Sequence, residues 1–432
     1  MTTATRVQRT YLTLVTLTTL SASLIWGINT LFLLDAGLNN LEAFAANAFF
    51  TAGMMLFEVP TGVVADLKGR RVSFLVGALT LMASTLLYVL LWQVGAAFWA
   101  WALVSVLLGL GFTFFSGAME AWLVDALHHT GYTGELDAVF GRAQAVQGAA
   151  MLVGSVLGGV LAQATNLGVP FVARAVLLGL TFALAFFLMH DIGFTPVRGA
   201  RPGPEVRRIF RESLTYGLGR PPVRWMMLTS PFVGGVSIYV FYAMQPYLLE
   251  LYGDEGAYGI AGLAAALVAG ADIVGGILAP RLRHAFQRRT SMILTTTALS
   301  AGALLVVPVV DSFALVVALL AVWSLAAAAE APVRKTYLNA LIPSKQRDAA
   351  GAAEQRVERQ HRGALQPGLG RVADVWGYPA TFAISGLFQA AALPFVRLAQ
   401  RLSVPEDYAT REPAATEATE AAVAAGPSQE TT

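Results

Sequence analysis

Ionisable residues lie inside long apolar runs of this chain, among them Glu58, Glu120, Arg174, Asp272 and Glu330. A charge within a hydrocarbon layer is costly and is kept there for a reason, so each is a candidate for carrying a proton or gripping a polar group. Asp272 stands nine residues before the basic Arg281, about 13 Å along a helix, which puts a lone carboxylate near the middle of its run. A carboxyl group that gains and loses a proton there is suited to coupling proton movement to substrate movement. Glu120 sits nearer a helix end, where gating or structure is the expected role. Glu330 has Arg334 four residues on, the spacing of a helical ion pair. Glu58 stands one turn before Gly62. Arg174 lies one turn in from a helix end, close enough for its long side chain to snorkel outward. Trp26, Asn29, Tyr239, Tyr242 and Gln245 are the residues suited to line a cavity for an amphipathic organic molecule.

Other chemistries are excluded. The chain has no cysteine, so thiolate catalysis and cysteine-held metals are absent, and its five histidines show no metal-ligand spacing. No nucleophile and base fall at a common depth. The residues call for no cofactor or metal, do not describe an enzyme, and contain no nucleic-acid-binding pattern.

The elements that position these groups are membrane-spanning helices. Of 432 residues, 56% are apolar and 13% charged, about half the charge of a soluble domain. Runs long enough to cross a bilayer fall near 11–34, 43–63, 72–92, 98–124, 141–164, 169–190, 222–248, 258–280, 291–310, 313–340 and 378–396. The first, from Tyr11 to Leu34, is too long for a signal peptide and is expected to remain as a span. Lysine and arginine gather in alternate loops, at Lys68–Arg71, Arg198–Arg220, Arg281–Arg289, Lys345–Arg347 and Arg397–Arg401. The intervening loops carry Asp35, Glu42, Glu250, Asp254, Glu255 and Asp311 instead. Basic loops stay in the cytoplasm, so both termini are expected inside a cytoplasmic membrane, which requires an even number of spans. Twelve spans follow, with the eleventh at about 350–374, although Arg356, Glu358, Arg359, His361 and Arg362 make it atypically charged. That segment is expected to be shielded from lipid.

The basic stretch 192–221 divides the chain into halves at 1–191 and 222–403, and the tail 404–432 reads as disordered. The halves look like copies: Glu120-Ala121 and Glu330-Ala331, Gly141 and Gly351, and Gly158 and Gly368 are each 210 residues apart. Gly168-Val169-Pro170 and Gly377-Tyr378-Pro379 are 209 apart.

Between the second and third spans, Gly62-Val63-Val64-Ala65-Asp66-Leu67-Lys68-Gly69-Arg70-Arg71 combines glycines for a tight turn and close helix contact with an aspartate facing a basic cluster, a latch that can form and break. It resembles the loop signature of the major facilitator superfamily, G-x-x-x-D-[RK]-x-G-R-[RK], with Leu67 in place of the first basic residue. Phe57-Glu58-Val59-Pro60-Thr61 is similar to drug-efflux members, and Glu58 is expected to join the latch. The corresponding loop of the second half is degenerate, with Pro280 in the aspartate's place. Gly154-Ser155-Val156-Leu157-Gly158-Gly159 resembles the family's antiporter signature G-P-x-x-G-G, with Ser155 for the proline; such small residues let helices approach closely. Ser105 stands where proton-coupled members often carry an arginine. The resemblance covers about residues 10–400 and implies an all-α fold of two parallel six-helix halves that rock around a central site. It implies a monomeric, proton-driven exporter of hydrophobic organic compounds such as drugs, an importer or symporter of a small metabolite being the alternative and a non-transporting membrane sensor a further one.

Overall fold

The structure is a computed structural model that describes residues 3–115, 118–195, 219–341 and 347–408, with the side chains of 347–364 left undescribed. Among the described residues it is all helix. The helices are α1 (Thr3–Trp26), α2 (Asn29–Asp35), α3 (Asn40–Lys68), α4 (Arg70–Val94), α5 (Phe98–Phe115), α6 (Ala118–His129), α7 (Leu136–Ala164) and α8 (Gly168–Leu188). The second half holds α9 (Pro221–Tyr252), α10 (Tyr258–His284), α11 (Arg289–Val306), α12 (Phe313–Leu341), α13 (Arg347–Ala390) and α14 (Leu393–Arg401).

Ten stretches among the described residues are long and apolar enough to cross a membrane, and eleven when α1 and α2, bent by 48° at their junction, are counted as one. The expected count of twelve is not reached by this measure. Residues 350–374 are helical, and among the residues whose side chains are described the candidate stretch is Leu365–Arg401. The expected eleventh helix is therefore present as backbone, while its charged group at 356–362 has side chains outside the described ones. Helix α13 is interrupted at Gly377, whose φ of 77° favours glycine. Of the expected linker, 196–218 lie outside the described residues, as do 409–432 of the tail.

Alternating direction gives the bundle two ends. The terminal face carries Thr3, the α3–α4 turn, the starts of α7, α9 and α11, and α14. The far face carries the α2–α3, α4–α5, α7–α8, α9–α10 and α11–α12 connections and Gly377.

The first half packs around two apolar clusters. Toward the far face Phe32 sits against Phe171, Tyr88, Trp92 and Trp101, with the Phe32–Phe171 ring centroids 3.9 Å apart. Toward the terminal face Tyr11, Leu14, Phe74, Trp122 and Leu127 are buried together. The second half has one cluster around Tyr239, Met244, Trp323 and Phe382 and another around Met226, Met292 and Tyr337. A short strap closes the terminal face of this half. Asp407 is buried and accepts from the Thr290 amide at 2.7 Å and hydroxyl at 2.6 Å, and the Arg288 guanidinium lies 4.8 Å from the Tyr408 ring centre.

Candidate functional site

A cavity of about 360 Å³ lies within the first half, walled by α1, α4, α5, α6, α7 and α8. Its α1 wall runs from Tyr11 to Trp26, about 22 Å at 1.5 Å per residue. Phe112, Glu120, Gln144 and Gln147 line it and are exposed, so this chamber is open rather than sealed. Thr18 and Ser21 turn their hydroxyl protons to carbonyls of their own helix, which leaves hydroxyl oxygens free to accept. Apolar faces come from Val15, Trp26, Phe115 and Phe140.

Two sequence candidates meet at this cavity. Glu120 lines it rather than merely bracing a helix end, and among the described residues its carboxyl has no hydrogen bond or ion pair. Arg174 also lines it, which corrects the expectation that it snorkels outward. Phe171, one turn nearer the far face on α8, is stacked on Phe32, and that aromatic plug closes the outward route. The guanidinium turns to the cavity instead.

The other candidates are placed elsewhere. Asp272 is exposed and does not line the cavity. On α10 the exposed Leu263, Leu267, Val274 and Ile277 form one stripe, and helical periodicity sets Asp272 on the opposite side, facing the space between the halves. Among the described residues it has no hydrogen bond or ion pair. Glu330 is buried, and its carboxylate accepts from Thr297 at 2.7 Å and Thr296 at 3.4 Å. Arg334 donates to the Met226 carbonyl and the Ser230 hydroxyl. Of the expected cavity liners only Trp26 takes that place. Asn29 bonds Asn47 at 3.1 Å, the Tyr239 hydroxyl donates to the Leu369 carbonyl at 3.4 Å, and Tyr242 and Gln245 are not among the lining residues.

The α3–α4 motif forms a charge latch at the terminal face. Arg70 donates to Asp66 at 2.6 Å and lies 3.8 Å from Asp125 of α6. Arg71 donates through its amide to Asp191 at 2.9 Å and through its guanidinium to the Phe186 carbonyl at 2.6 Å. Gly69 has φ of 103°, and a Cβ there would run into the Asp191 carboxylate. Gly62 has no such neighbour among the described residues, so close packing is not its reason. Glu58 is half-buried one turn before it.

The glycines of the antiporter-like stretch make close contacts. A Cβ at Gly154 would meet Ser23, and one at Gly158 the Leu24 carbonyl, both on α1; one at Gly159 would lie 2.5 Å from the Tyr258 carbonyl of the second half.

Sequence inspection missed the residues that join the halves. Asp374 of α13 accepts from the first two amides of α3, Asn40 at 2.9 Å and Leu41 at 3.0 Å. Asn39 and Glu42 form a capping box over the next donor, so the start of α3 is fully satisfied. Tyr378 adds a bond to Asn40 at 2.5 Å. In the mirrored position, Gln163 of α7 accepts from the Gly259 amide at the start of α10, at 2.9 Å. Gln245 of α9 accepts from the Thr30 amide at 3.0 Å and donates to the Trp26 carbonyl at 2.6 Å.

The sequence matches the Major Facilitator Superfamily over residues 11–354, and the chain belongs to that family. It is a multi-pass membrane transporter and not an enzyme. The fold is similar to the nucleoside transporter NupG (TM-score 0.74, 10% identity, covering 91% of this chain and 98% of that one). It is also similar to a bacterial homolog of the human lysosomal transporter Spinster (0.68, 14%, 94% and 99%) and to a POT family transporter in complex with 5-aminolevulinic acid (0.69, 10%, 92% and 96%). No curated protein sequence matches the chain.

Proposed function

We propose that the chain is a proton-coupled secondary transporter that exports small amphipathic organic molecules by alternating access. One observation carries the reading: the hydrogen bonds that Gln163, Gln245, Asp374 and Tyr378 make between the halves lie toward the far face. The cavity and the exposed carboxyl groups of Glu120 and Asp272 lie on the other side of that seal. A bundle closed at one end with an open chamber beneath is what one state of an alternating-access cycle requires. The terminal face carries Lys68, Arg70, Arg71, Arg281, Arg283, Arg288 and Arg289, so the positive-inside rule makes it cytoplasmic and the state inward-facing. Twelve spans fit the pattern when residues 347–376 serve as the eleventh and the chain after Gly377 as the twelfth. The transporter works as a monomer, since both halves of the pathway belong to one chain.

Glu120 and Asp272 are the proton carriers in this reading, one on each half. Protons bound from outside would return the emptied carrier inward, and their loss inside would reset it for the next substrate. The resemblance of Gly154–Gly159 to the antiporter signature supports export. The test is transport in proteoliposomes under an imposed pH gradient, alongside exchange of labelled substrate with no gradient. Glu120→Gln or Asp272→Asn should abolish gradient-driven accumulation and leave exchange running. Accumulation at the unmodified level in both variants overturns the coupling assignment, and accumulation in the uptake direction makes the chain a symporter.

A further inference from the structure

We propose that Arg174 is the anion-binding group of the central cavity, and that the transported molecule is an organic monoanion, a carboxylate on an aromatic or aliphatic body. The inference deepens the reading of the cavity as the substrate site and rests on it. Arg174 lines the cavity toward its closed, far-face end, near Trp26. Its Nε is fully buried and has no hydrogen-bond partner. Among the described residues the guanidinium takes part in no hydrogen bond or ion pair at all. The ionisable groups that act on it are the phenols of Tyr88 and Tyr242, and no carboxylate is among them.

That arrangement is expensive. The buried Nε lacks the bond that buried polar groups otherwise have almost without exception, while the rest of the guanidinium reaches the cavity. The aromatic plug of Phe32 and Phe171 denies it the far-face solvent. A partner that arrives and leaves resolves the cost, and for a planar fork of N–H donors the fitting partner is a carboxylate, held by two parallel bonds. Among the described residues Arg174 is the one cation that lines the cavity, so a second carboxylate on the substrate would have no counter-charge. A single negative charge fits. The remaining walls, Val15, Phe112, Phe115 and Phe140 among them, suit an apolar body, and about 360 Å³ is the size of a small-molecule site.

Binding to detergent-solubilised protein tests this without any gradient, so it stands or falls apart from proton coupling. The probes are 4-phenylbutanoate and other arylalkyl carboxylates, each paired with its amide and its amine, read by thermal shift and by titration calorimetry. The acids should bind, with amides and amines at least tenfold weaker. Arg174→Gln should lose the preference for acids, and Arg174→Lys should keep part of it. Because the substitution removes an unpaired buried charge, ligand-free Arg174→Gln should melt no lower than the unmodified protein. A structural arginine would instead give a lower melting temperature with acid binding unchanged. Equal binding of acid and amide, no acid bound by the unmodified protein, or acid binding unchanged in Arg174→Gln overturns the proposal.

Discussion

Glu120 and Glu330 begin the same dipeptide in the two halves, yet one stands exposed in a cavity and the other is buried on two threonines. The terminal-face loops differ in the same sense. Asp66 and Arg70 form a charge pair in the first half, while the matching loop of the second has Pro280 and no aspartate. Where the two halves share a sequence pattern, their side chains still end in different surroundings. The first half carries the cavity and the Asp66–Arg70 pair, and the second contributes packed helices and the strap at Pro405–Asp407. Only at the far-face seal do the halves act alike. Gly159 and Gln163 approach the start of α10, while Gly370 and Asp374, each 211 residues on and so one position off the 210-residue offset of Gly158 and Gly368, approach the start of α3.

The comparison is sharpest where counterpart glycines differ. Gly158→Ala would drive a methyl into the Leu24 carbonyl, whereas nothing described lies within 4 Å of a Cβ at Gly368. The first substitution should cost about 1–3 kcal/mol or more through overpacking. Gly368→Ala should be neutral or stabilising by about 0.5–1 kcal/mol, the usual gain on replacing a helical glycine. Thermal unfolding in detergent separates them, and equal melting temperatures would dissolve the asymmetry.

The far-face seal gives a smaller effect on conformation rather than on folding. Asp374→Ala strips a charged acceptor from two helix-start amides, a loss of about 1 kcal/mol, or roughly fivefold in the balance between closed and open states. Gln163→Ala removes one neutral bond and should shift the balance less. Spin-label distances between positions 37 and 254 measure both shifts, and an equal response would show that the charge at Asp374 adds nothing.

The latch should yield the smallest change. Asp66→Asn keeps the shape and loses the pairing with Arg70, an exposed pair worth about 0–1 kcal/mol. Transport should slow by a few fold with the melting temperature unchanged, and an unaltered rate would deny the latch a part in the cycle.

Much of this architecture is legible in the sequence because its signals are local. Apolar runs mark most of the spans, and the Asp66–Arg70 spacing places the two charges one helical turn apart. Arg174 is not legible in that way. Its helix is apolar on every side, so periodicity cannot separate the face toward lipid from the face toward a cavity. The roles of Asp374 and Gln163 depend on pairing across more than ninety residues, which no local pattern records. Glu120 and Glu330 show the limit most plainly, since an identical dipeptide ends in opposite surroundings.

The strap at Pro405–Asp407 offers something practical. Its buried carboxylate is fastened to the first turn of α11, so Tyr408 is a rigid attachment point on the second half. A fluorophore or antibody epitope placed there would turn with that half as a lever turns with its axle. Paired with a second dye on the first half, it would convert each transport cycle into a distance signal read one molecule at a time.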